Sequence, residues 1–276
     1  TLLALTIGFS MNAQTGSTNQ GSGTSFGSGE DYNSAFGESS LESNTTGDSN
    51  TASGAYSLRF NLSGHSNTAS GVASLRNNTS GSKNTAFGYT SLSSNTTANF
   101  NTASGYASLT MNLTGNNNTA SGYQSLYSNT TGSANTASGN NSLYSNTTGD
   151  YNTASGYYSL ESNTTGDNNT ASGMYSLESN TTGNNNTAFG YNAWASANNA
   201  TNQTVIGYEA TGQANNSVVL GNDAVTAVYM GEDSGATVYA AGLNIAGTAI
   251  TSTAAELNIL DGVTSTAAEL NILDGV

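Results

Sequence analysis

The sequence predicts an all-β protein, a parallel β-solenoid built from coils of 17 residues. Self-similarity at a fixed period is the signature of a repeat architecture. A leucine recurs at this step from Leu41 to Leu177, and a threonine recurs from Thr51 to Thr187. The glycines that keep the same step are Gly37, Gly54, Gly71, Gly88, Gly105, Gly122, Gly139, Gly156, Gly173, Gly190 and Gly207. Each step is therefore expected to form one coil that stacks on the next.

Composition decides between this solenoid and two rival states. Gly, Asn, Thr and Ser dominate the repeats, and all four are poor helix formers. Low hydrophobicity and polar repeats are also typical of disorder. A disordered tract, however, has no reason to keep one Leu, one Ala and one Gly in every 17 residues. An ordered, non-helical stack is favoured.

One coil is predicted to contain two strands and a loop. In the coil that starts at Asn152, "NTASG" is the first strand, Gly156 is a bend, "YYSLE" is the second strand and "SNTTGD" is the loop. Alternate residues of a strand face opposite sides, so Thr153 and Ser155 share one face and Ala154 takes the other. The Ser155 position is occupied elsewhere by Phe36, Phe87, Phe189 and Ile206. This mixture predicts that the Thr and Ser face points inward.

Stacking in register places each side chain above its counterpart in the next coil. Columns of Asn and Thr are therefore expected to form hydrogen-bond ladders. The charged columns contain one opposite pair, Glu42 with Arg59, and two like pairs, Glu161 with Glu178 and Asp150 with Asp167. The like pairs are expected to be solvated, and a ladder of calcium ions is the alternative.

The predicted core is thin. One Leu, one Ala and a few methyl groups per coil bury little apolar area, about 2–4 kcal/mol by area. Sharing that surface among several chains is a natural remedy, so a homotrimer is expected.

The 17-residue repeats are assigned to residues 33–207. The flanking segments are a signal peptide truncated at its start (1–13), a linker or cap (14–32), shorter-period repeats with an exit segment (208–242) and tandem 13-residue repeats (243–276). The apolar run at 1–13 is too short to cross a bilayer, which takes about 20 residues. It fits the apolar region of a signal peptide, and a buried N-terminal helix or strand is the alternative. No transmembrane segment is predicted.

Two stretches resemble a known family. "NTAFGYTSL" (84–92) and "NSVVLGNDA" (216–224) are similar to the head repeats of YadA-like trimeric adhesins and related haemagglutinin-type surface proteins. The resemblance covers about residues 23–235, and it implies a left-handed β-roll with three chains side by side. The sequence departs from the family in its Ser residues, which replace Val, Ile or Leu, and in its longer "SNTTG" loop.

The C-terminal end is a second tandem repeat. "TSTAAELNILDGV" occupies 251–263 and again 264–276, and similar units occur in phage tail fibres. Thr253 and Glu256 have the spacing of a helix capping box, and Gly262 fits the position that follows a helix. Each unit is therefore predicted to form a short helix, in a helical or mixed segment.

The residues needed for catalysis are missing. The chain has 3 Lys+Arg, 17 Asp+Glu and a net charge of −14, which disfavours binding to nucleic acid. His65 is the one histidine, so no Ser-His-Asp triad can form. Scattered acids and an absence of Cys predict neither a metal centre nor a cofactor. The sequence predicts a protein that is not an enzyme.

The candidate ligand-facing residues are tyrosines that recur in columns: Tyr127, Tyr144, Tyr157 and Tyr158. Exposed Tyr rings could stack on sugars, and packing between coils is the alternative reading of the same pattern.

The leading function predicted is a secreted or surface-displayed fibre or adhesin segment that attaches through many weak contacts. Its ligand would be a host-surface, matrix or glycan molecule, and its location would be extracellular, on a bacterial surface. A phage tail fibre, located on the virion tail, is one alternative. An ice-binding solenoid is the other, because the Thr column would form a hydroxyl lattice if its face were flat and exposed. Phe87 and Phe189 share that face, so no shaping of ice crystals is expected.

Overall fold

The computed structural model describes residues 18–20, 32–228, 243–245 and 248–250. Residues 1–226 and 227–276 form two separate compact units. The first contains a 13-stranded sheet in which every strand pairs in parallel with the next one along the chain. This confirms the parallel β-solenoid with coils of 17 residues, and the described residues contain no helix. The second unit contains an antiparallel pair of strands.

The strands of the first sheet are β1 (Thr18–Gln20), β2 (Ser34–Phe36), β3 (Thr51–Ser53), β4 (Thr68–Ser70), β5 (Thr85–Phe87), β6 (Thr102–Ser104), β7 (Thr119–Ser121), β8 (Thr136–Ser138), β9 (Thr153–Ser155), β10 (Thr170–Ser172), β11 (Thr187–Phe189), β12 (Gln203–Ile206) and β13 (Ser217–Leu220). The antiparallel pair is β14 (Leu243–Ile245) and β15 (Thr248–Ile250). The predicted signal peptide and the predicted helices within 251–276 lie outside the described residues.

Each complete coil contains one strand rather than two, so the predicted second strand is wrong. In the coil of β9, the chain turns at Gly156, where φ is +139°, and Tyr158 and Leu160 then adopt left-handed conformations, with φ of +57° and +51°. Two left-handed residues separated by one position turn the backbone too tightly for an extended strand. A left-handed non-glycine residue costs roughly 1–2 kcal/mol. Burying Leu160 contributes about 1.5–3 kcal/mol, which offsets the strain at that one residue.

The turns stack in register as closely as the strands do. The backbone N–H of Tyr158 donates to the carbonyl of Asn140 in the preceding coil, at 3.0 Å, and that of Leu160 donates to Ser176 in the following coil, also at 3.0 Å. The irregular part of a coil therefore satisfies its backbone groups through its neighbours, as the strand does.

The face that was predicted to point inward points outward. Ala154 is fully buried, whereas Thr153 and Ser155 are exposed. At the position of Ser155 in other coils, Phe87 and Phe189 are 50% and 47% exposed. The interior of the coil is narrow: the largest side chain in the inward alanine column is Val205. That column accepts methyl-sized groups, so the aromatic rings are placed outside.

The predicted core of one Leu and one Ala per coil is incomplete. In the coil of β9, Ser159 and two asparagines, Asn152 and Asn163, are also fully buried. The hydroxyl of Ser159 donates to the carbonyl of Gly156 at 3.0 Å. Three of the five buried side chains of this coil are therefore polar, and such groups stabilise a fold only when they are hydrogen-bonded.

Two asparagine ladders provide those bonds and confirm the predicted Asn columns. In the first ladder, Nδ2 of Asn163 donates to Oδ1 of Asn146 in the preceding coil at 2.8 Å and to the carbonyl of Gly166 at 3.0 Å. The column runs through Asn44, Asn61, Asn78, Asn95, Asn112, Asn129, Asn146, Asn163 and Asn180. In the second ladder, the backbone N–H of Asn169 donates to Oδ1 of Asn152 at 2.9 Å. The predicted Thr ladder differs in detail, because Oγ1 of Thr130 donates to the backbone carbonyl of Thr147.

Candidate binding surfaces

The basic residues are engaged with neighbouring side chains. Nε of Arg59 lies 2.6 Å from Oε2 of Glu42, which confirms the predicted opposite pair. Arg76 lies over the ring of Phe60, with its guanidinium carbon 5.7 Å from the ring centre. Lys83 lies over Phe100 at 4.9 Å. The surface therefore offers little free positive charge to an anionic ligand.

The Asp column has a structural role. Oδ1 of Asp150 accepts the backbone N–H of Ser133 at 2.6 Å, and Oδ1 of Asp167 accepts that of Asp150 at 2.7 Å. His65 occupies the same column, and its Nδ1 lies 2.8 Å from Oδ1 of Asp48. Backbone donors stabilise these carboxylates without a cation. Within the described ranges, no group of three or more His, Asp or Glu side chains could hold a metal ion.

The glutamate column behaves differently. Burial raises the pKa of Glu178, and the neighbouring carboxylate of Glu161 raises it further. The two carboxylates repel each other across one coil step, so this column destabilises the fold at neutral pH.

The first pair of predicted ligand-facing tyrosines packs face to face. The rings of Tyr127 and Tyr144 have their centres 5.3 Å apart and their planes only 6° apart. Each ring covers one face of the other, so the pair presents mainly ring edges and hydroxyl groups to solvent. Stacking of a sugar on an inner face would require the rings to separate.

The second predicted pair belongs to a larger cluster. Tyr157 and Tyr158 have ring centres 4.3 Å apart, and Tyr175 lies edge-on to Tyr157 at 5.6 Å. A hydrogen bond with Tyr158 raises the pKa of Tyr157. Tyr191 continues the cluster, with its ring centre 6.3 Å from that of Tyr175. The structure brings Tyr157 and Tyr158 together and places Tyr127 and Tyr144 in a separate column.

Sequence reasoning missed an exposed apolar surface of the described coils. The residues that directly follow the corner glycines form a column of exposed side chains, which we call the aromatic ridge. It comprises Val72, Tyr89, Tyr106, Tyr123, Tyr157, Met174 and Tyr208. Tyr106 stacks between Tyr89 and Tyr123, with ring centres 5.4 and 5.2 Å away. The signal was available in the sequence, because each of these residues directly follows a glycine of the 17-residue series.

The outer side of the strands is a second distinct surface, which we call the strand face. It consists of the Thr column and the adjacent Ser or Phe column of β2–β12. None of these strands carries a charged residue. The pairing is in register at every step; Thr136, for example, lies opposite both Thr119 and Thr153.

The last coil carries a shallow cleft of about 310 Å³. Two carboxylates, Glu209 and Asp223, contribute to its walls together with Thr211, Gln213 and Asn222. No histidine, lysine or arginine lines the cleft, so its two carboxylates have no cationic partner there.

The "NTT" and "NLT" triplets match the acceptor pattern for glycosylation, but their asparagines are the first ladder. Asn129, for example, is fully buried, and its Nδ2 donates to Oδ1 of Asn112 at 2.8 Å. In the folded chain the amide nitrogen that would carry a glycan is engaged in the core.

Comparison of the chain with protein-family models, with curated proteins and with solved structures finds no match. The described residues contain no helix long and apolar enough to cross a membrane. Function must therefore be argued from the surfaces themselves.

Proposed function

We propose that this chain is a non-enzymatic segment of a secreted or surface-displayed attachment fibre. The observation that carries the proposal is the uninterrupted stack of coils from β2 to β12, which repeats each outward position at one strand spacing. At about 4.8 Å per step, eleven coils extend for on the order of 50 Å. Such a stack holds many copies of a weak contact in fixed positions, which is the geometric requirement for multivalent binding.

The aromatic ridge is the surface best suited to contact a partner. Soluble proteins rarely leave large contiguous apolar patches exposed unless those patches take part in an interaction. Around the ridge the surface is polar and carries few charges, so salt should weaken its contacts only slightly. The Tyr127 and Tyr144 column is a secondary surface, because its rings lie beside the carboxylates of Glu161 and Glu178 along the same column.

A homotrimer is part of the proposal. The core does not require it, because Leu, Ala, Ser and Asn close the interior within one chain. Support comes from the resemblance of "NTAFGYTSL" (84–92) and "NSVVLGNDA" (216–224) to the head repeats of trimeric adhesins, and the three chains would pack through surfaces other than the ridge. Light scattering checks this point, since a trimer of the full chain would have three times the monomer mass of 27.8 kDa. A monomer at all concentrations would contradict the trimer and leave the attachment role to be tested separately.

Attachment is tested with fluorescently labelled protein on a panel of intact bacterial and animal cells and on immobilised glycans. The variant Tyr89→Ser with Tyr106→Ser and Tyr123→Ser removes the central ridge, and Thr131→Ser with Thr148→Ser is a control on an exposed loop column. We expect saturable binding by the parent and the control, and a large loss for the ridge variant. Selective binding to bacterial cells would favour the phage tail-fibre alternative. Absence of binding across the whole panel would refute the attachment role.

A further inference from the structure

The strand face is a periodic array of hydroxyl groups. Thr153 and Ser155 both point away from the core because Ala154 between them points into it. The same arrangement, with Thr outward and Ala inward, holds from β3 to β11. It gives nine successive threonines in one column. The threonine column is therefore exposed, which is one of the two conditions, flat and exposed, that the sequence sets for an ice-binding lattice.

The repeat distances of this face follow from the parallel sheet. Neighbouring strands lie about 4.8 Å apart, and alternate residues of one strand lie about 6.6 Å apart. The face thus has one repeat along the stack and, at right angles to it, one fixed spacing between the Thr and Ser columns. Its rigidity has a structural cause, because the backbone of each strand bonds to both neighbouring coils and the Asn ladders hold the interior behind it.

The phenylalanines divide this face without destroying it. Phe87 and Phe189 occupy the Ser column at β5 and β11, and both project into solvent. Between them, β6 to β10 keep the Thr-Ala-Ser pattern without interruption. Five complete coils therefore present hydroxyl groups in two parallel columns, with the threonine methyl groups beside them.

We propose that the face of β6–β10 binds ice. The face is a rigid, uncharged array with two fixed distances, so a ligand that fits it must itself be ordered in two dimensions. The lattice of ice supplies rows of water oxygens with repeats close to these two distances. Hydroxyl groups take the place of lattice waters, and the methyl groups of threonine fill the spaces between them. A flexible polymer offers no such two-dimensional repeat. This activity is independent of the attachment role, which rests on the aromatic ridge.

The test measures thermal hysteresis and the shape of single ice crystals in micromolar protein. We expect the parent to facet the crystals and Thr136→Arg, at the centre of the five coils, to abolish faceting. Thr131→Arg is the matched control, because it makes the same exchange on an exposed threonine of the loop in the adjoining stretch of chain. Thr153→Arg, paired with Thr148→Arg, provides a second comparison if the first variant does not fold.

Each outcome of this test either supports or overturns ice binding. Faceting by the parent and the control, with loss in the strand-face variant, supports the proposal. Round crystals with the parent overturn it, as does equal loss in the variant and its folded control. Binding of the parent to crystalline polysaccharide without any effect on ice also overturns it. None of these results bears on attachment, because the ridge tyrosines are unchanged in every variant.

Discussion

The first asparagine ladder predicts that exchanging a single buried amide for a carboxyl group destabilises the solenoid. Nδ2 of Asn112 donates to Oδ1 of Asn95 at 3.0 Å and to the carbonyl of Gly115 at 3.0 Å. Asn112→Asp removes both donated bonds and places a carboxylate oxygen against two acceptors. The carbonyl of Gly115 keeps the bond from Asn101, at 2.9 Å, but Oδ1 of Asn95 loses its ladder donor.

The magnitude follows from these contacts. Two lost hydrogen bonds cost about 1 kcal/mol each, and an unsatisfied buried group adds about 1–3 kcal/mol. We therefore expect a loss of about 3–5 kcal/mol in the free energy of unfolding at pH 7. For a cooperative unit of this size the melting temperature should fall by roughly 10 °C.

The effect should depend on pH in a defined direction. Burial is expected to raise the pKa of the new carboxyl group above its unfolded value of about 3.9. The folded state then binds more protons than the unfolded state over the interval between the two pKa values, so the cost of the exchange grows as the pH rises through it. Below the unfolded pKa the neutral carboxyl can donate to Oδ1 of Asn95, and most of the deficit should disappear.

The assay is thermal unfolding followed by circular dichroism at pH 7 and at pH 3.5. Asn117→Asp is the matched control, since Asn117 lies in the same coil, is exposed and has φ of +59°, a conformation that Asp tolerates. If Asn112→Asp melts with the parent and the control at pH 7, the ladder does not stabilise the core and this reasoning is wrong.

Three further predictions concern the repeat, its corner and its acidic column. Deleting residues 152–168 should shorten the stack by about 4.8 Å and preserve folding, whereas deleting only 162–166 should unfold it; the opposite order in circular dichroism melts would contradict the 17-residue coil. Gly156→Ala should lower the melting temperature far more than Ser155→Ala. The reason is that φ is +139° at Gly156 and a Cβ at that position would lie 2.5 Å from the carbonyl oxygen of the next corner glycine. Equal melting temperatures of the two variants would exclude that crowding. Glu178→Gln should raise the melting temperature at pH 7 and not at pH 3.5, because a raised pKa destabilises the fold only where the unfolded group is ionised; an equal gain at both pH values would rule out the ionic cause.

The period alone was enough to predict the stacking and several of its contacts. Once residues 17 apart are known to lie above one another, the pairing of Glu42 with Arg59 and the Asn columns follow directly. The bend at Gly156 was also predictable, because only glycine adopts φ of +139° readily.

Two features were not predictable in the same way: which face of the strand points into the core, and the path of the chain after the corner glycine. A three-residue strand with Ala at its centre gives no hydrophobic alternation, and Phe87 looked like a core residue. Its exposure reflects the narrow interior, a tertiary property that no local pattern encodes. The left-handed conformation of Leu160 is likewise imposed by stacking, since leucine has no intrinsic preference for it. The ridge is encoded in the sequence as the residue after each corner glycine.

The hydrogen bonds of the first ladder run from each coil to the one before it, and this has a consequence for how the gene can change. Asn180 shows where the series stops: the next coil has Ala197 at that position, and Oδ1 of Asn180 has no hydrogen-bond partner. Elsewhere an inserted coil meets the same donors and acceptors as the coil it displaces. The protein can thus gain or lose whole coils without a change of its interior, while substitutions at outward positions leave the ladder intact. Length and surface chemistry are separately variable in one molecule.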